Sequence, residues 1–243
     1  MDFIINAFKI IFMLGFLVLI HETGHFLVAR LCKIRVNEFA IGFGPTIWKK
    51  QGKQTKYALR LIPLGGFVSM EGEEERSDVE GSFSNSSIPK RIAVVVAGGL
   101  VNIVFAIITY IILMSVITGD IGKAVSYTGD FIFSMVESLK MLFSGGVTVD
   151  QLMGPVGISD VVAQTTGFAE FVYVLALISM SLGVTNLLPF PPLDGGKVVF
   201  LIIEAIRRKP LKQETEIKIQ MLGFVLLIML SIYVTYNDVT RIF

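Results

Sequence analysis

Residues 16–29 read FLVLIHETGHFLVA, an apolar run that contains both histidines of this 243-residue chain. Residues four apart share one face of an α-helix, so His21 and His25 are expected to lie side by side. Ionisable side chains are expensive in lipid, and those found within an apolar helix are candidates for a functional site. The H-E-x-x-H spacing is that of two zinc-binding histidines with a glutamate base between them. The segment therefore predicts a membrane helix that carries a metal site.

The composition is that of an integral membrane protein. Hydrophobic residues make up 53% of the chain and charged residues only 17%, and the mean hydropathy is +0.72. Soluble domains are less apolar and more charged than this. The single cysteine, Cys32, excludes an intramolecular disulfide framework. We expect the lipid bilayer to surround the chain and no nucleic acid to be among its partners.

Four apolar stretches are near the length of about 20 residues that a membrane-crossing helix requires. They are residues 3–28, 92–117, 168–189 and 217–236. The third stretch runs into Pro189-Phe190-Pro191-Pro192, and this proline density should break its helix. Broken backbone at membrane depth is tolerated only where protein or a water-filled cavity shelters it. The prediction is an all-α polytopic membrane protein, one domain over 1–243, whose broken third span lines the site on the first.

Loop charges predict the orientation in the membrane. Lysine and arginine are frequent in the connections after the first and third spans, whereas the connection 118–167 holds only Lys123 and Lys140. The positive-inside rule then places the first two loops in the cytoplasm and both termini outside. His21 and His25 are expected toward the cytoplasmic side of the first span.

Two connections contain predicted structure of their own. A β-hairpin is expected in the region 39–70, because residues 57–70 partly alternate between apolar and polar and contain the turn signal Gly65-Gly66. The pattern does not decide whether this hairpin dips toward the membrane or packs on the helices in the cytoplasm. An apolar segment at about 127–144 is too short to span, and we predict an amphipathic helix on the outer face.

A hydrolytic zinc site needs three protein ligands, an open position and a general base. His21 and His25 supply two nitrogens, and Glu22 beside the first histidine is the candidate base. The candidate third ligand is Asp194, at the end of the broken span, although aspartate in this position can also serve as a helix N-cap. The weaker alternatives lie near predicted membrane edges and are Glu204 and Glu170.

The two motifs resemble those of the site-2 proteases, which are zinc intramembrane proteases. The first is 21–25 (HETGH), and the second is 186–195 (NLLPFPPLDG). The resemblance is closer to the bacterial branch that cleaves anti-sigma factors, the regulator-of-sigma-E-protease type, and it covers almost the whole chain. Further matching segments are Gly42-Phe43-Gly44, 62–67, Phe83-Ser84-Asn85, Ala97-Gly98 with Asn102, and 154–157.

The resemblance implies a role for each residue of the two motifs. His21, His25 and Asp194 would bind Zn²⁺, and Glu22 would be the catalytic base. Asn186 would contact the substrate backbone or the developing oxyanion, with a helix-capping amide as its alternative role.

The resemblance also gives the predicted hairpin a function. Its residues Gly65, Gly66 and Phe67 would belong to a membrane-reentrant β-loop that pairs with the substrate as an added strand. A helical substrate must unwind before its peptide bond can reach zinc, and a strand edge offers replacement hydrogen bonds.

The chain departs from the family pattern at two places. Gly98-Gly99 stands where the family has glycine followed by proline, and we expect little functional consequence. Typical members also insert one or two PDZ domains after the second span, whereas residues 117–122 close that interval directly. The gate against substrates with bulky outer domains, which the family assigns to the PDZ domain, is therefore not expected in this form.

The implied function is that of a zinc endopeptidase in the bacterial plasma membrane. Its substrates would be single-span membrane proteins, such as anti-sigma factors or signal-peptide remnants, in regulated proteolysis. One alternative is an inactive scaffold of the same fold that captures membrane helices, and its mark would be the loss of a ligand or of Glu22. Another is a metal transporter or channel, which would carry further acids or histidines along its spans. The chain has neither mark.

Overall fold

The computed structural model describes residues 2–146, 148 and 152–242. Helices dominate this part of the chain, and one pair of strands follows the first helix. In chain order the elements are α1 (Asp2–Leu31), β1 (Val36–Gln51), β2 (Lys56–Met70), α2 (Ile88–Thr118), α3 (Ile121–Ser144), α4 (Pro155–Gln164), α5 (Phe168–Asn186), α6 (Asp194–Arg207) and α7 (Gln213–Ile242).

Four helices, α1, α2, α5 and α7, are long and apolar enough to cross a membrane. They correspond to the four predicted spans, and the chain is a multi-pass membrane protein. Helices α1, α2 and α7 extend beyond the predicted bounds of their spans. Helix α2, for example, begins at Ile88 and includes Lys90 and Arg91. Charged residues end an apolar stretch but do not end a helix, which explains the difference.

The chain divides into two compact units. The metal-site unit comprises residues 11–103 and 182–223, and the second unit comprises residues 1–10, 104–181 and 224–243. The predicted metal ligands and the β-strands all belong to the metal-site unit.

A hydrophobic core joins α1, the strands, α2 and α6 within the metal-site unit. Its buried members are Ala29, Ile34, Val36, Met70, Phe83, Val94, Val95 and Leu201. Helices α1 and α2 approach closely above this core, since a Cβ on Gly24 would lie only 2.6 Å from the carbonyl oxygen of Ala97. The close approach brings the histidine face of α1 against α2.

The antiparallel strands β1 and β2 fold back on one another. Ala40 is aligned with Phe67 on one side and with Ala58 on the other. The first half of β1 therefore lies between residues 66–70 and residues 56–59. Residues 46–51 then pair with residues 56–60 on the far side. The sheet therefore has its edges at 46–51 and 66–70.

The predicted turn at Gly65-Gly66 is wrong. The chain reverses at residues 52–55, where the N–H of Gly52 donates to the carbonyl of Thr55 at 2.9 Å. Gly65 lies within β2 at φ +100°, where a side chain would collide with the ring of Phe43. The glycine pair thus allows a bend inside the strand. A glycine pair in the sequence marks such a bend as readily as it marks a turn.

The predicted outer amphipathic segment is helix α3 in the second unit. It begins earlier than residue 127 because the Asp120 side chain caps it, accepting hydrogen bonds from the N–H groups of Gly122 and Lys123, and it ends at Gly145 with φ +75°. Only Gly119 and Asp120 separate α2 from α3, so this junction holds no inserted domain.

Helix α4 of the second unit has no counterpart in the sequence analysis. Its N-terminus is held by the fully buried carboxylate of Asp238 in α7, which accepts from the N–H groups of Gly154 at 2.9 Å and Gly157 at 2.7 Å. A side chain at either glycine would collide with Asp238. The Gly-Pro-Val-Gly segment thus forms the N-terminus of a helix that binds an anion, and the anion is the Asp238 carboxylate of α7.

Candidate metal centre

Three side chains from two helices converge in the metal-site unit. His21 and His25 lie one turn apart on α1, and their Nε2 atoms are 3.1 Å from each other. Asp194, the first residue of α6, places Oδ2 3.1 Å from Nε2 of His21 and 3.3 Å from Nε2 of His25. These three residues form a group able to hold a metal ion. These are the three ligands predicted from the sequence.

The geometry fits zinc. Zinc bound tetrahedrally at about 2.0–2.1 Å separates its ligand atoms by about 3.3–3.4 Å, close to the distances found here. Nδ1 of His25 donates to the carbonyl of Val94 at 2.8 Å, which leaves the Nε2 lone pair of a neutral ring free for a metal. Asp194 Oδ2 is buried and accepts no hydrogen bond from the described residues. A cation would satisfy these facing lone pairs.

A glycine of α2 makes room for the centre. A Cβ on Gly98 would lie 2.7 Å from Cε1 of His25 and 2.8 Å from Cε1 of His21, and closer still to Nε2 of His25. Any larger residue would push into the imidazoles. The departure noted in the sequence concerns Gly99, which stands in place of proline, and its small expected effect stays a prediction. The contact of Gly98 with the imidazoles is a packing feature that sequence spacing cannot reveal.

Asp194 is not the N-cap of α6. Leu193 occupies that position, without a side-chain hydrogen bond, and Asp194 is already helical. Asp194 instead directs Oδ2 at the Nε2 atoms of both histidines, at 3.1 and 3.3 Å. Its carboxylate is therefore placed to complete the ligand set rather than to cap the helix.

The weaker third-ligand candidates are engaged elsewhere. Glu204 forms a bidentate ion pair with Arg91, in which Nη1 donates to Oε2 at 3.0 Å. Glu170, in the second unit, accepts from the N–H of Thr166 at 2.8 Å. Neither carboxylate belongs to the group formed by the histidines and Asp194.

A cavity of about 930 Å³ opens beside the centre. His21, Glu22, His25 and Asp194 line it, together with residues 67–70 at the edge of β2. Glu22 lies against this edge, since a Cβ on Gly66 would be 3.5 Å from Cγ of Glu22. The candidate base, the candidate ligands and a strand edge thus share one chamber.

Of the residues expected to bind substrate, Phe67 lines the cavity and Gly66 adjoins Glu22. Gly65 supports the bend beside them. Asn186 ends α5 and is half-buried. It does not line this cavity, and the described contacts do not link its side chain to the histidines. The structure brings the hairpin residues to the site and leaves Asn186 outside the group.

A strap of residues 71–76 follows β2 and crosses to the α6–α7 region. Lys197, one turn after Asp194, contacts Glu73 with Nζ 2.8 Å from Oε1. Gln213 donates to the carbonyl of Glu74 at 2.7 Å, and Arg76 donates to the carbonyl of Leu211 at 2.9 Å. These three contacts fix the strap along the cavity.

In the sequence, Lys197 is one of the basic residues that follow the third apolar stretch, and it is not among the predicted site residues. Burial acts to lower the pKa of Lys197, but Glu73, then Asp194 and Glu22, raise it above its usual value. The ammonium group therefore adds a positive charge to the chamber beside Asp194 and Glu22. Its position three residues after Asp194 was the available signal, because residues at that spacing share a helix face.

Comparison with known proteins identifies relatives along nearly the whole chain. The profile of peptidase family M50 matches residues 9–230. A relative from Clostridium acetobutylicum is 29% identical, with 93% of this chain and 94% of the relative covered. Zinc metalloprotease RasP of Oceanobacillus iheyensis is 25% identical, with 96% and 98% covered. Regulator of sigma-W protease RasP of Bacillus subtilis is 24% identical, with 98% of each covered.

These alignments are longer than the chain itself. They run over 320 to 417 positions for a chain of 243 residues, so the relatives carry residues that this chain lacks. The short α2–α3 junction is consistent with that difference.

Proposed function

The chain belongs to peptidase family M50 and is a zinc metalloendopeptidase, and we propose that it hydrolyses peptide bonds within or near the membrane span of single-span proteins. The observation that carries the proposal is the convergence of His21, His25 and Asp194 beside Glu22 in one chamber of an apolar, multi-pass chain. Single-span substrates that have already lost their outer domains, such as anti-sigma factors or signal-peptide remnants, are the substrates we propose.

His21, His25 and Asp194 would hold the zinc ion, and Glu22 would move the proton. Zinc, when bound, supplies a Lewis acid that polarises the scissile carbonyl and favours attack by water near neutral pH. The Glu22 carboxylate accepts the proton that the attacking water loses and passes it to the nitrogen of the leaving amine. The bond between carbonyl carbon and amide nitrogen breaks, and a carboxylate and an amine leave.

The edge of β2 at residues 66–70 would hold the substrate as an added strand. Residues 67–70 line the chamber, and their other side pairs with β1. An unwound peptide paired here recovers backbone hydrogen bonds that its helix has lost. Gly66 and Phe67 would lie along this peptide, and the bend at Gly65 would set its direction. Asn186 would contact the peptide backbone or the developing oxyanion only if substrate entry moved it toward the chamber.

We place the protein in a bacterial plasma membrane with both termini outside and the metal centre toward the cytoplasm. The support is the concentration of lysine and arginine in the two connections that would face the cytoplasm. Reaction of an impermeant thiol reagent with single cysteines introduced at Lys123 and at Lys209, in a Cys32→Ser background, tests the orientation. In intact cells labelling is expected at 123 alone, and labelling at 209 instead would reverse the assignment.

Cleavage of a single-span substrate by the purified chain tests the proposed function. The expected result is one main cut inside or beside the substrate span, mapped by mass spectrometry. A zinc chelator should abolish the cut, and added Zn²⁺ should restore it. Capture of the substrate without cleavage in zinc-loaded protein would instead support the inactive scaffold.

Paired proline variants test the strand edge. Successive residues of a strand direct their N–H groups to opposite sides, so one of Val68→Pro and Ser69→Pro removes an N–H on the chamber side and the other removes one that faces β1. The chamber-side variant is expected to reduce cleavage by about two- to tenfold, the effect of one lost hydrogen bond, with unchanged zinc content and melting temperature. The other variant should lower the melting temperature. Equal cleavage by wild type and the thermally unaltered variant would exclude strand addition.

A further inference from the structure

The edge of the sheet that faces away from the metal centre is apolar on both faces. Phe43, Ile47 and Trp48 are 48%, 61% and 51% exposed. Ile47 and Trp48 are neighbours in β1, so their side chains point to opposite faces of the sheet. Leu59, Leu61 and Ile62 of the adjoining β2 segment are also exposed. An apolar ribbon open on both faces is typical of a surface in contact with lipid.

Three lysines follow this ribbon directly. Residues 39–70 contain no aspartate or glutamate. Glu38 forms ion pairs with Lys56 and Arg60, whereas Lys49, Lys50 and Lys53 have no acidic partner among the described residues. We call residues 46–53, with Trp48 and these three lysines, the lysine edge. Its charge is uniformly positive and uncompensated.

Two contacts with α1 give the depth of the sheet along that helix. Arg30, at the end of the span, donates to Oε1 of Gln54 in the turn at 2.7 Å. At the other end, a Cβ on Gly15 would lie 2.6 Å from the carbonyl oxygen of Pro63. From Gly15 to Arg30 the helix rises about 22 Å at about 1.5 Å per residue. The turn at residues 52–55, which contains Lys53, therefore lies level with the end of the span, and Pro63 lies near its middle. Lys49 and Lys50 pair with Ala58 and Tyr57 directly beside that turn.

Backbone hydrogen bonding limits how deep the lysine edge can lie. Residues 46–51 pair with 56–60 on one side only, and an open strand edge is not tolerated in hydrocarbon. Tryptophan favours the interface between hydrocarbon and water, and lysine favours phosphate at the same level. Three features therefore place the lysine edge in the headgroup layer. They are the unpaired backbone groups of its outer side, Trp48 and the positive charge of its lysines.

We propose that the lysine edge binds anionic phospholipid headgroups of the cytoplasmic leaflet, with Lys49, Lys50 and Lys53 on the phosphates and Trp48 at the interface. The choice of leaflet rests on the orientation proposed above. Lipid is favoured over substrate as the occupant because the opposite edge, residues 66–70, already faces the chamber that holds Glu22. Anchoring one edge of the sheet would hold the other edge at a fixed depth beside the metal centre.

Trp48 is the only tryptophan of the chain, so its fluorescence reports on this edge alone. The full chain is reconstituted in bilayers of unlabelled phosphatidylcholine that contain the same small fraction of either brominated phosphatidylglycerol or brominated phosphatidylcholine. Bromine quenches tryptophan only in close contact, so the ratio of the two quenching curves gives the lipid preference at Trp48. We expect phosphatidylglycerol to be preferred by at least about fivefold, the effect of one lysine near an anionic surface, and high salt to reduce the preference.

The matched variants carry equal changes of charge. The triple variant Lys49→Gln, Lys50→Gln, Lys53→Gln is expected to lose the preference, whereas Lys209→Gln, Lys212→Gln, Lys218→Gln should keep it. Equal quenching by the two brominated lipids in the wild type would overturn anionic binding. No quenching by either lipid, or a Trp48 emission shift only after substrate is added, would overturn lipid as the occupant. None of these readouts requires proteolysis, so the outcome is independent of the proposed function.

Discussion

In a Glu22→Gln variant, cleavage of a single-span substrate is expected to fall by about 10²–10⁴-fold, the usual contribution of a general base. Glutamine has nearly the same shape as glutamate, but its amide cannot accept the proton that the attacking water loses. The side chains of His21, His25 and Asp194 are unchanged, so zinc should remain bound at the wild-type ratio. Single-turnover cleavage and metal analysis on the same preparation measure both quantities.

The matched control is Glu80→Gln, which makes the same chemical change on an exposed turn away from the cavity. It should cleave at the wild-type rate. If Glu22→Gln cleaves as fast as this control, Glu22 is not the base. If Glu22→Gln loses zinc as well as activity, Glu22 helps to hold the metal, and the general-base role is not supported.

The membrane helices could be predicted from sequence because lipid imposes the same requirement on every residue of a span. The apolar runs at 3–28 and 92–117 are the central parts of α1 and α2, whose ends extend into charged sequence. Helix α4 could not be predicted in this way, since it is short and its start is stabilised by Asp238 from far along the chain.

In the hairpin, the Gly65-Gly66 pair is compatible with two structures, a turn between strands or a bend within one strand. The existence of the hairpin followed from partial alternation, but the turn was assigned to Gly65-Gly66 when it lies at residues 52–55. The Gly-Lys-Gln-Thr sequence at 52–55 is an equally ordinary turn. Only the packing of Gly65 against Phe43 distinguishes a bend in the strand from a reversal of the chain.

The candidate site was predictable where it depends on spacing along one helix and not where it depends on packing between helices. His21 and His25 share a face by their four-residue separation, and Glu22 comes with them. Asp194 was preferred as a ligand with capping as the alternative, and the resemblance favoured the ligand role. The contact of Gly98 with both imidazoles exists only in the folded chain. Lys197 differs, because its spacing of three residues from Asp194 already places the two side chains on one face of α6.

The second large effect is expected at Asp194, whose replacement by alanine should remove one of three zinc ligands. Outer-shell partners of a metal typically contribute 10–100-fold to its affinity, and a ligand contributes at least about as much. Asp194→Ala should therefore weaken zinc binding by about 100-fold or more and abolish cleavage at stoichiometric zinc. Competition with a chromogenic zinc chelator measures the affinity, and the melting temperature of the metal-free protein shows whether the variant folds.

Gly98→Ala is expected to have a zinc affinity between those of the wild type and Asp194→Ala, because it displaces ligands without removing one. Its methyl group would press on both imidazoles, and His25 cannot move without weakening its hydrogen bond to Val94. Zinc affinity should fall by about 10–100-fold, and excess zinc should restore cleavage, because all three ligands remain. Gly129→Ala is the control, since a Cβ there meets nothing within 4 Å. Wild-type zinc stoichiometry and cleavage in Asp194→Ala would show that the third ligand lies elsewhere, whatever the result at Gly98.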